Sequence, residues 1–155
     1  MALSVEHLLT LSTLEGLGQI TLSALQDYSI RNNITIQSLR ELHALYNKGQ
    51  HLKLFRNSTR YTPFQLVMAN SEAKRILEQS HALNIQWIAK QEYPLSLQSF
   101  SYRGRLATPP FLFYKGDLTN ITRQKRITLT GTKYPTPEGV RTARYISSFL
   151  TQQGI

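Results

Sequence analysis

The chain has 155 residues, no cysteine and a formal net charge of +9. That length suits one ordinary domain or two small ones, and the missing thiols exclude disulfides and thiolate metal sites. Residues 1–100 hold nine Lys/Arg and seven Asp/Glu, a balance of +2, whereas residues 101–155 hold nine Lys/Arg against only Asp117 and Glu138, a balance of +7. Basic charge gathered in one part of a chain points to a polyanionic partner, usually nucleic acid, or to a cationic face kept for solubility.

The opening "MALSVEHLLTLSTLEGLG" has no basic stretch before its apolar residues and no A-x-A cleavage site, so it makes a poor signal peptide. No apolar run approaches the roughly 18 residues of a membrane span. A cytoplasmic location is expected. Residues 1–83 read as short helices. In "SVEHLLTLSTL", Ser4 is a candidate N-cap, and Val5, Leu8, Leu9 and Leu11 fall on or near one helical face. "GLGQITLSALQDYSI" predicts a second helix and "TIQSLRELHALYNKG" a third. Thr35 is expected to cap the third, Ile36, Leu39, Leu42 and Leu45 to form its stripe, and Gly49 to end it. Pro63 breaks or starts an element. "SEAKRILEQSHAL" predicts a fourth helix, capped by Asn70 or Ser71 and closed by a left-handed Asn84.

The texture changes near residue 84. "IQWIAK", "FLFYKGD" and "RITLTG" are strand candidates, with a Pro- and Gly-bearing connection between the first two. A helix follows, with Thr136 as N-cap, Pro137 in its first turn and Glu138 near the positive end of its dipole. Its face of Val140, Ala143, Ile146, Ser147 and Leu150 is suited to packing on a sheet. Helices first, then strands with a helix, argue for two modules, 1–83 and 84–155. No internal repeat or low-complexity segment is present.

Two glycine turns invite a functional reading. The Gly16-Leu17-Gly18 turn between two helices is the core of a helix–hairpin–helix, which can present backbone N–H groups to a DNA phosphate. Gln19 and Thr21 stand where Lys or Arg would help, so a tight packing turn is the favoured reading. In the second, "RITLTG" delivers Gly131 to a loop carrying Lys133, where a phosphate would lie in an open α/β sheet. The spacing is neither a dinucleotide fingerprint nor a P-loop, and an ordinary strand–turn–helix has the same glycine and cap. His7, His43, His51 and His81 show no metal spacing, and Asp117 and Glu138 form no acid/base pair, so no catalytic residue, metal or cofactor is expected. "FSYRGR" and "FLFYKGD" interleave aromatic and basic residues, as base-stacking surfaces do. Phe111 and Phe113 are nevertheless expected in the strand core, with Tyr114 alternating outward.

Three blocks together resemble the DNA-processing protein A family, also called DprA or Smf. They are the Gly-x-Gly turn of "GLGQITLSAL", the tyrosine–proline to glycine–aspartate block "EYPLSLQSFSYRGRLATPPFLFYKGD", and "ITLTGTKYPTPEG". The resemblance implies an α/β protein. A small helical domain, sterile-alpha-motif-like or helix–hairpin–helix-like (1–83), would precede the start of a Rossmann-like domain (84–155) holding its first strands and first helix only. It implies a single-stranded-DNA-binding protein, not an enzyme, that assists RecA loading in natural transformation and recombination. Gly131, Thr132, Lys133, Thr136 and Gly139 would then belong to a basic pocket gripping the DNA backbone. Lys133 stands where arginine is commoner, keeping charge but losing the bidentate fork. The family's next strand would follow Ile155, so the chain is expected to be the N-terminal portion of a longer fold. RecA and homodimer surfaces are expected in the full-length protein. Two other readings stay open: a nucleotide- or sugar-phosphate-processing Rossmann enzyme, and a protein-interaction module.

Overall fold

In the computed structural model, residues 3–56, 59–94, 101–102, 105–106, 108–118, 129 and 131–154 are described. Helix α1 (Val5–Ser12) starts at Ser4, whose hydroxyl accepts the His7 N–H while the His7 side chain reaches back to the Ser4 N–H. Val5, Leu8, Leu9 and Leu11 are all buried. Leu14 and Leu17 are buried on either side of Gly16, whose φ of +83° is a left-handed value that favours glycine. Helix α2 (Gln19–Arg31) follows from Gly18.

Helix α3 (Leu39–His51) begins four residues after the expected cap. Ser38, not Thr35, holds the Glu41 N–H. Gly49 does not end the helix. It lies inside α3, where a Cβ would come within 2.7 Å of Leu25 and 2.8 Å of Phe55, so the glycine serves close packing, and Lys53, at φ +53°, makes the left-handed turn instead. Helix α4 (Pro63–Ala82) starts eight residues earlier than expected. Thr62 caps it in a reciprocal pair with Gln65, and Pro63 fills the first turn, where no N–H is needed. Asn70, expected as a cap, is instead mid-helix, buried, and donates to Glu6 (3.0 Å) and Thr10 (3.1 Å) of α1. Asn84 takes the left-handed turn as expected, with φ +54°.

Strand β1 (Gln86–Ala89) is followed by a short 3-10 turn, Lys90–Glu92. Strands β2 (Ser101–Tyr102) and β3 (Arg105–Leu106) pair as a two-residue hairpin. Strand β4 (Phe111–Tyr114) pairs antiparallel with β1, Trp87 opposite Phe113 and Ala89 opposite Phe111. Those four residues share a face, and Trp87, Ala89 and Phe111 pack into the helical core. Phe113 lies at its edge, 36% exposed, with its ring against Trp87 and Phe111. Tyr114, expected outward, is half-buried and donates to Gln86. Lys90 pairs with Asp27 at 3.1 Å and Gln26 donates to Gln91, tying this segment to α2.

The chain divides into two compact units, residues 1–116 and 117–155. The first holds the core just described. In the second, helix α5 (Pro137–Gln152) has no buried residue. The expected strand "RITLTG" lies outside the described residues except for Leu129 and Gly131. The described residues give a helix-rich mixed α/β protein with small two-stranded sheets. No helix among them is long and apolar enough to cross a membrane.

Candidate nucleic-acid interface

The loop from Gly131 to Gly139 ends on an ordinary capping arrangement. Thr136 is extended, with φ −71° and ψ 159°, and its hydroxyl accepts the Gly139 N–H at 3.1 Å. Its carbonyl takes the Val140 N–H at 3.0 Å. Pro137 has no N–H, so the cap leaves the Glu138 N–H without a protein partner among the described residues. Such a group at a helix start favours an anion. Glu138 would repel one, but its carboxylate is held by Arg141 at 2.8 Å. Both side chains are about three-quarters exposed, so the pair adds little to stability.

Upstream, the Thr132 hydroxyl accepts the Tyr134 N–H at 3.3 Å and bends the loop. The Lys133 ammonium lies 5.6 Å from the centre of the Tyr134 ring. Tyr134 is 81% exposed, and Gly131, Thr132, Lys133, Thr136 and Gly139 are all exposed. Among the described residues, packing demands neither glycine. A Cβ at Gly131 would meet nothing within 4 Å, one at Gly139 would make an ordinary contact with Thr136 at 3.4 Å, and neither residue has a positive φ.

All five expected residues therefore lie along one exposed loop and the first turn of α5. Sequence reasoning passed over Tyr134, an aromatic adjacent to Lys133, and Arg141, which follows Glu138 at the i+3 spacing of a helical ion pair. Among the described residues no group of three or more His, Cys, Asp or Glu could hold a metal ion.

The described residues are those of a helix-rich α/β chain in which an exposed loop bearing Lys133 runs into a capped helix. Residues 84–155 match the family of DNA recombination-mediator protein A, so the DprA/Smf resemblance is borne out over that stretch. No curated protein and no solved structure matches the chain.

Proposed function

We propose that the chain binds single-stranded DNA through its sugar–phosphate backbone and serves DNA uptake, natural transformation and recombination by helping to load RecA. In this reading residues 1–83 form a sterile-alpha-motif-like or helix–hairpin–helix-like domain and residues 84–155 the first part of a Rossmann-like, non-catalytic domain acting in the cytoplasm. RecA and a second copy of the protein are the partners of the full-length form.

The observation that carries this reading is the family match over residues 84–155. The loop supports it. Lys133 supplies charge, Gly131 and Gly139 leave the backbone open to close approach, and the Glu138 N–H is free to donate. These contacts go to phosphate and carry no base information, so binding is sequence-tolerant.

The test is Lys133→Ala, titrated with fluorescent oligo(dT) and with a mixed-sequence strand. The variant is expected to lose about 1 kcal/mol on both, the size of a charge-assisted contact. Equal binding by variant and parent, both folded, would reduce the loop to a turn.

A further inference from the structure

The +2 balance of the first 100 residues conceals a segregation of charge. No Asp or Glu occurs between Glu41 and Glu72, while Lys48, Lys53, Arg56 and Arg60 all fall in that stretch with His43 and His51. The fold turns part of this run into a groove. After α3 the chain reverses at Lys53, and Phe55 enters the core, 9% exposed. The returning strand of chain is then pinned at several points. Tyr46 donates to the Thr59 carbonyl at 2.8 Å, and Gln50 to the same carbonyl at 2.7 Å. The Tyr61 carbonyl lies 2.7 Å from His43 Nε2. The Tyr61 hydroxyl donates to the Glu15 carbonyl, inside the turn that joins α1 to α2.

That last bond brings the cationic segment beside the Gly16-Leu17-Gly18 turn. The result is an open groove of about 1530 Å³, in which Lys53, Arg56, Arg60 and His51 stand with Ile20 and Thr21 from the first turn of α2. Among the described residues no carboxylate lines it. All three of Lys53, Arg56 and Arg60 are exposed, and none forms an ion pair among the described residues. Helix α2, 13 residues long, starts at Gly18 without any side-chain cap. The basic residues missing from the turn's own sequence are thus delivered to it by a segment some forty residues away.

We propose that this groove is a second nucleic-acid site, separate from the Gly131–Gly139 loop. The uncapped start of α2 receives one phosphate of a single strand, and Lys53, Arg56 and Arg60 neutralise its neighbours. Ile20, 80% exposed at the helix start, offers an apolar surface for a base. Lys53, Arg56 and Arg60 carry the only formal charges among the described lining residues, and three cations on one groove suit a polyanion such as a nucleic-acid backbone. The inference rests on the reading above that DNA is the ligand.

The experiment uses the full chain and fluorescein-labelled oligo(dT) titrated at several salt concentrations. Three variants are compared with the parent: the triple Lys53→Ala/Arg56→Ala/Arg60→Ala, Ile20→Glu, and Lys133→Ala. Each single-strand phosphate contact contributes roughly 0.7 to the log–log salt slope, so the triple variant should flatten the slope by about 2. Its affinity at low salt should fall by at least about tenfold. Ile20→Glu keeps the core intact, because Ile20 is exposed, and an acidic residue suits a helix start. It should weaken binding by repelling phosphate even if the triple variant folds poorly. Parent-like binding by Ile20→Glu and a folded triple variant, with loss only in Lys133→Ala, overturns this inference and leaves the loop standing. Loss in the groove variants with Lys133→Ala unchanged supports the groove and removes the loop. No loss in any of the three overturns both. Displacement of oligo(dT) by polyglutamate at matched charge would show a general acidic-ligand surface and overturn the assignment to nucleic acid.

Discussion

Gly49 sits where α3 meets α2, and the space for a side chain is taken by Leu25, which is wholly buried, and by Phe55. Gly49→Ala gains about 1 kcal/mol of helix propensity. Overpacking a filled core costs about 1–3 kcal/mol, so the net effect should be a loss of roughly 1 kcal/mol and a lower Tm. Nothing in the string "YNKGQHLK" announces that contact, because Leu25 and Phe55 reach Gly49 only through the tertiary fold. The glycine therefore reads as a stop signal. Tyr61 poses a similar test: Tyr61→Phe removes the bond to the Glu15 carbonyl and should cost about 1 kcal/mol in denaturant melts.

His7 gives a pH dependence. Burial holds its imidazole below the usual value of 6.5, with Glu6 pulling the other way, and its Nδ1 accepts from the Ser4 N–H. The folded state thus prefers the neutral ring, and the unfolded chain takes up the proton first. Its contribution is full above pH 6.5 and declines as the pH falls below that value toward the lowered folded-state one. Tm measured across that window should drop more steeply for the parent than for His7→Gln, which keeps a residue suited to the capping box. Identical slopes would show that the ring does not titrate with folding.

At the scale of elements, the caps decide where helices begin. Thr136→Ala removes the acceptor for the Gly139 N–H and should destabilise the start of α5 by about 1 kcal/mol. Amide exchange over Gly139–Arg144 reads this directly. Helix α5 buries no residue among those described, and Tyr145, Ile146 and Phe149 are exposed, so its amides should exchange faster than those of α1 to α4. Slow exchange throughout α5 in a proven monomer would contradict this. Ser4, Thr136, Pro137 and the left-handed Asn84 were legible because each acts within four residues of its own position. The start of α4 was not. Its Thr62-x-x-Gln65 box lies among apolar residues that stay exposed, Phe64 within it and Val67 and Met68 after it, so the buried stripe of Leu66, Ala69 and Ala73 is masked. The sheet-facing stripe expected on α5 is amphipathic in sequence, but Ala143, Ile146 and Ser147 are exposed.

For the whole molecule, charge placement outweighs total charge. The basic excess after residue 100 was visible by counting, and Lys133 falls in it on an exposed loop. The groove of the helical unit was invisible to the same count, because Glu6, Glu15 and Asp27 cancel Lys53, Arg56 and Arg60 in the sum although none of those acids lines the groove. The DprA/Smf resemblance was legible because its blocks are local strings in a fixed order, and the family match falls on two of them. The claim that joins these observations is that the protein grips a nucleic-acid backbone by charge. The affinity of the full chain for oligo(dT), measured from low to high salt, tests it most directly. The account predicts a straight fall of log affinity with log salt, with a slope of roughly −0.7 for each phosphate neutralised. An affinity independent of salt, or no binding at low salt by the folded protein, would contradict it.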